Sequence, residues 1–141
     1  MSVFALILRF LKRKDLNELT FYPNNKETKE IEESPDQTKH ETELALSNIQ
    51  FSILDIEELL ETSNLLKIRS KAIIIKTSAE LAHLRANKKE LRLISQCASQ
   101  IIILVADLES NAISETKFKT EVNRQIKSIK ILRKTCIVAG L

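Results

Sequence analysis

From position 36 to position 139, a run of 104 residues, the chain contains neither glycine nor proline. Both prolines lie at or before Pro35, and the single glycine is Gly140. Sheets need tight turns, and tight turns lean on these two residues to reach their special dihedral angles. The run therefore excludes an all-β sandwich, a doubly wound nucleotide-binding sheet and a glycine-rich phosphate loop. Helices have no such need. Apolar mass is ample, since 18 Ile and 20 Leu stand among the 141 residues, and that length favours one domain.

Start signals and apolar periodicity place four helices. Ser34-Pro35-Asp36-Gln37 combines a capping serine, a proline at the first helical position and an acid at the positive end of the helix dipole. Leu46, Ile49, Ile53, Ile56 and Leu60 then recur at spacings of 3 and 4 until Thr62-Ser63-Asn64 interrupts them. A second helix over 64–86 carries Ile68, Ala72, Ile75, Ala79 and Ala82. Asn87 with Glu90 reads as a capping box opening a third helix over 88–109, striped by Leu91, Ile94, Ala98, Ile101, Val105 and Leu108. Ser114 caps a fourth over 115–138, with Ile113 and Phe118 as its hydrophobic staple. Phe118, Val122, Ile126, Ile129, Leu132 and Cys136 form its stripe, and Gly140 closes it.

The junction at Asn87 leaves a choice between two helices and one long one. The stripe before it ends at Ala82 and the next begins at Leu91. At about 100° per residue that interval puts the stripes on opposite faces, which favours a break. KAIIIKT (71–77) and QIIILVAD (100–107) also admit buried strands. Without glycine or proline for tight strand-to-helix connections, helix wins. The expected architecture is all-α: an antiparallel, up-down four-helix bundle over 35–141, resembling no family. It is preceded by an amphipathic segment over 1–19 and a polar linker over 20–34.

Charge is sorted by segment. Residues 44–62 hold 4 acids and no base, and 63–92 hold 8 bases and 2 acids. Residues 93–116 hold 3 acids and no base, and 117–141 hold 7 bases and 1 acid. Alternating signs let each helix face an oppositely charged neighbour. Exposed pairs add only about 0–1 kcal/mol each, so their role is the choice of neighbour and register.

Chemistry has few tools here. Glu80-Leu81-Ala82-His83 matches the Glu-x-x-His spacing of di-iron bundles, in which both side chains reach one metal from one helix face. That site needs a second such pair, and the chain has only His40 and His83. Lys76, one turn before Glu80, offers an ordinary ion pair instead. Cys97 and Cys136 lie in apolar surroundings and read as reduced, buried residues rather than nucleophiles. No catalytic residue, cofactor, metal ligand or small-molecule substrate is expected.

Binding remains, in three forms. Residues 101–106 are apolar all round, more than a bundle helix needs. Ile101, Ile102, Ile103 and Val105 are therefore the candidates to meet a protein partner, a second copy or another chain. That makes the first expectation an intracellular, cytoplasmic interaction module acting as adaptor, assembly factor or regulator. Residues 1–14 hold no acid and four bases. Phe4, Ile7 and Phe10, with Arg9, Lys12, Arg13 and Lys14, would suit an anionic membrane interface, a mitochondrial presequence, or a short helix packed on the bundle. Lys119, Lys127, Lys130 and Lys134 line one face of the fourth helix and would suit phosphates of nucleic acid or membrane. No aromatic side chains interleave them for stacking on bases. No apolar run exceeds six residues, the length of 101–106, against the ~20 needed to cross a bilayer, so no span is expected.

Overall fold

The computed structural model describes residues 35–139. Among them four helices pack against one another, and no strand forms: α1 (Pro35–Thr62), α2 (Leu65–Ala86), α3 (Lys89–Glu109) and α4 (Glu115–Val138). The chain is all-α, and both stretches that admitted a strand reading lie inside helices. The segment 1–19, the linker, the Ser34 cap and Gly140 lie outside the described residues.

The apolar stripes become the core. Leu46, Ile49, Ile53, Ile56 and Leu60 of α1 are buried with Ile68, Ala72, Ile75, Ala79 and Ala82 of α2. Leu91, Ile94, Ala98, Ile101, Leu104 and Val105 of α3 join Phe118, Val122, Ile126, Ile129 and Cys136 of α4. Leu108 and Leu132, at the ends of their stripes, are half-buried against this cluster. Burying a Leu, Ile or Val side chain contributes about 1.5–3 kcal/mol, so the 3.6-residue period, not propensity, holds the helices in place.

Each of the three connections turns on a left-handed residue that is not glycine: Ser63 at φ 54°, Asn87 at φ 51° and Asn111 at φ 63°. Asparagine tolerates this region through local hydrogen bonding of its short side chain. Asn64 caps α2 by accepting from the Lys67 N–H at 3.2 Å, and Ser114 caps α4 by accepting from the Lys117 N–H at 3.1 Å. Behind Ser114 the staple forms as expected, with Phe118 buried and Ile113 half-buried on the core.

The expected capping box at Asn87 is corrected. Asn87 ends α2, its N–H donating to the His83 carbonyl at 2.9 Å, and Lys88 stands at the start of α3 without a side-chain cap. A connection this short needs a positive φ, and Asn87 meets that need in place of capping α3. The chain thus breaks here into two helices.

Charge sorting is visible between helices. Asp55 pairs with Lys71 at 3.1 Å and Glu41 with Arg85, joining acidic α1 to basic α2. Arg69 meets Glu109 at 3.5 Å, from α2 to the acidic end of α3, and Lys130 meets Glu57 at 2.7 Å, from α4 to α1. Each pair joins segments of opposite sign. Arg133 adds a donated bond from Nε to the Leu46 carbonyl at 2.8 Å, and Ser63 Oγ donates to Glu115 at 2.7 Å.

Candidate functional site

Helix α3 carries no charged residue from Leu93 to Ala106. Its inward half is core, with Ile101 and Val105 fully buried. Those two expected partner residues serve the internal packing, because they share the 3.6-residue stripe with Ile94 and Ala98. Ile102 is half-buried against the core, and Ile103 alone of the four stands out, 50 % exposed. By length and composition α3 is also apolar enough to cross a membrane. The single-run expectation missed this because Gln96, Ser99 and Gln100 interrupt the run. Within the bundle, α3 is instead a core helix packed on α2 and α4.

The outward half is a strip in which Leu93, Gln96, Gln100 and Ile103 recur at spacings of 3 and 4, all exposed. Facing it on α4 are Gln125, Ser128, Ile131 and Leu132, an uncharged wedge between the lysines. The first three residues of the α3 strip, these four of α4 and Cys97 line an open groove of about 560 Å³. Ile103 continues the strip one turn beyond Gln100. Ile131 is 60 % exposed, so the groove presents apolar side chains flanked by amides, with no charge.

Such a groove has the volume of a small-molecule site but not its chemistry. Cys97 is its one titratable group. Burial pushes that thiol up from its ordinary value, away from the thiolate that a nucleophile or ligand requires. Cys97 is also half-buried, not buried as expected. Cys136 is in the core. Burial raises its thiol too, with Lys88 lowering it and Glu90 raising it to lesser degrees.

Sequence reading missed the α4 half of the groove, whose residues look like ordinary helix surface. The available signal was charge: 125, 128, 131, 132 and 135 form a face without lysine on an otherwise basic helix. The remaining candidates fall elsewhere. Lys130 is engaged with Glu57, and Lys119 lies 3.8 Å from Glu115. Lys127 and Lys134 are exposed and make no ion pair among the described residues. Phe4, Ile7, Arg9, Phe10, Lys12, Arg13 and Lys14 lie outside those residues. Glu80 accepts from Lys76 at 2.7 Å and from Ser95 Oγ at 3.1 Å, while His83 Nδ1 meets the Lys88 carbonyl at 3.1 Å. Each member of the Glu-x-x-His motif is thus held by a structural partner. No family model matches the chain, and no curated protein or solved structure matches it with significance.

Proposed function

We propose that this chain is a non-enzymatic interaction module that docks a protein partner in the groove between α3 and α4. The observation that carries the reading is the uncharged, partly apolar lining from Leu93 to Ile103 and from Gln125 to Leu132 on an otherwise charge-rich surface. Interface centres are depleted in charge while their rims stay polar, and here the lysines of α4 supply the rim. An up-down antiparallel bundle is part of this reading. It is supported by contacts that nest around the turns, the ion pair Asp55–Lys71 inside Glu41–Arg85, and the Ser95–Glu80 hydrogen bond inside the ion pair Glu109–Arg69.

The test compares the wild-type chain with Ile131→Glu by sedimentation across concentrations and by affinity capture from the native host. Ile131 is exposed, so the substitution leaves the core intact. Expected is a self-association or a reproducible partner that the substitution removes. If mass and captured proteins are the same for both chains, the groove is not the docking site. The lysine strip of α4 supports a nucleic-acid or membrane reading less well, because Lys130 is already neutralised from α1.

A further inference from the structure

Helix α2 has a second uncharged face, opposite its core stripe. Leu66, Ser70, Ile73, Ile74, Thr77, Leu81 and Leu84 follow one another at helical spacing, and none is charged. Thr77 lies about 200° around the helix from Ile75, at the back of that stripe. The packed neighbours hold the other sides: α1 through Lys71 and Arg85, α3 through Arg69 and Glu80. Yet Thr77 is only 8 % exposed, and Ile73 and Leu81 beside it are half-buried. Leu66 and Leu84, at the two ends of the strip, are 64 % and 78 % exposed. Around Thr77 the back face is covered, while Ile74 at its edge is 39 % exposed and the two ends are open.

We propose that residues 3–11 of this same chain cover that face. Four observations select this occupant. The segment is the one apolar run in the chain before α1, with Val3, Phe4, Leu6, Ile7, Leu8, Phe10 and Leu11. Its nine residues hold no acid and a single base, Arg9, so it would bring almost no charge onto an uncharged face. The linker over 20–34 reaches, since fifteen residues can span up to about 50 Å. Its far end enters α1 at Pro35, and α1 lies beside the end of α2 where Glu41 meets Arg85. This surface is separate from the α3–α4 groove and does not rest on its reading.

The experiment uses the full chain carrying Thr77→Cys, with thiol labelling followed at each cysteine by peptide mass spectrometry. The rate at position 77 is compared with that in a chain also carrying Ile7→Glu and Phe10→Glu. Docking predicts labelling at least about tenfold slower in the parent, because the site must open before it reacts, and independent of protein concentration. Equal rates overturn the proposal, and so does protection that appears only as concentration rises, which would assign the cover to a second copy. A photo-reactive benzophenone attached through Ser70→Cys, at the exposed edge of the strip, gives an independent measure. Intrachain cross-links to peptides within 1–19 support docking; cross-links to another copy, or none to 1–19, refute it.

Discussion

Asn87, at φ 51°, stands where α2 separates from α3. Two outcomes compete at this position: a left-handed residue that breaks the helix, or one continuous helix from 65 to 109. Left-handed backbone costs an ordinary L-residue about 1–2 kcal/mol. Continuity would turn the stripes of α2 and α3 to opposite faces and uncover Leu91, Ile94, Ile101 and Val105, all fully buried. At about 1.5–3 kcal/mol for each such side chain, that loss is roughly 6–12 kcal/mol. The break should therefore survive substitution, and the whole strain should appear as lost stability. Asn87→Val places a β-branched residue at φ 51° and is expected to cost about 1–2 kcal/mol. Asn87→Gly is expected to be neutral or to stabilise by up to about 1 kcal/mol. Urea unfolding followed by far-ultraviolet circular dichroism measures both, with the slope checked for constancy. Two results refute the reasoning. One is an unchanged midpoint in Asn87→Val. The other is a stable dimer formed by that variant, which would mean that a fused helix recovers its burial from a second copy.

Three further outcomes follow from the geometry. Removing the capping side chain in Ser114→Ala should destabilise by about 1 kcal/mol, whereas Ser110→Ala, which removes only an exposed hydroxyl bond to the Asp107 carbonyl at 3.2 Å, should stay within about 0.5 kcal/mol; denaturant midpoints decide. Lys130→Glu sets two acids together across α1 and α4, and its cost should be below about 1 kcal/mol and shrink with added salt. Restoration in the double variant with Glu57→Lys is the check. Cys136 has a raised thiol pKa in the folded chain, so folding favours its neutral form. That contribution is fully present below the ordinary thiol value and is lost as pH rises through the raised one. Cys136→Ala should therefore flatten the alkaline decline in stability measured by denaturant titration above pH 9, while lowering stability at every pH through the cavity it leaves.

The core was legible because one signal governs it. Ile49, Ile53 and Ile56 repeat at the helical period, and residues at that period must share a face. Cap chemistry was legible at Ser114, where the hydroxyl, the staple partner Phe118 and the apolar run all agree. It misled at Asn87, because asparagine suits both an N-cap and a left-handed C-cap. Only the length of the connection decides between them. The proposed docking face was half legible. All-round apolarity marked α3 as unusual and made all of Ile101, Ile102, Ile103 and Val105 partner candidates, although two of them also belong to the periodic stripe. Position within the stripe settles it: Ile101 follows Ile94 and Ala98 into the core, and Ile103 is turned out. On α2 the same period already put Ile75 inside and left Ile73 and Ile74 off the stripe; what the sequence does not show is that Thr77, behind them, is buried.

The two uncharged faces differ in a way that bears on what each can do. Where α3 and α4 meet, glutamines and a serine alternate with the apolar side chains, so water satisfies their amides and hydroxyl when the groove is empty. A partner need only replace those bonds, which suits a surface that is sometimes free. On the back of α2 the centre is Ile73, Ile74, Thr77 and Leu81, with little for water to bond and no charge to keep other chains away. Exposed in an isolated chain, a strip of that kind invites association, which suits it to a permanent cover. The occupants proposed for the two faces follow this difference. A tethered segment is present at a high effective concentration set by its linker and can remain seated on the apolar face. A separate protein, present or absent with conditions, is matched to the amide-flanked one.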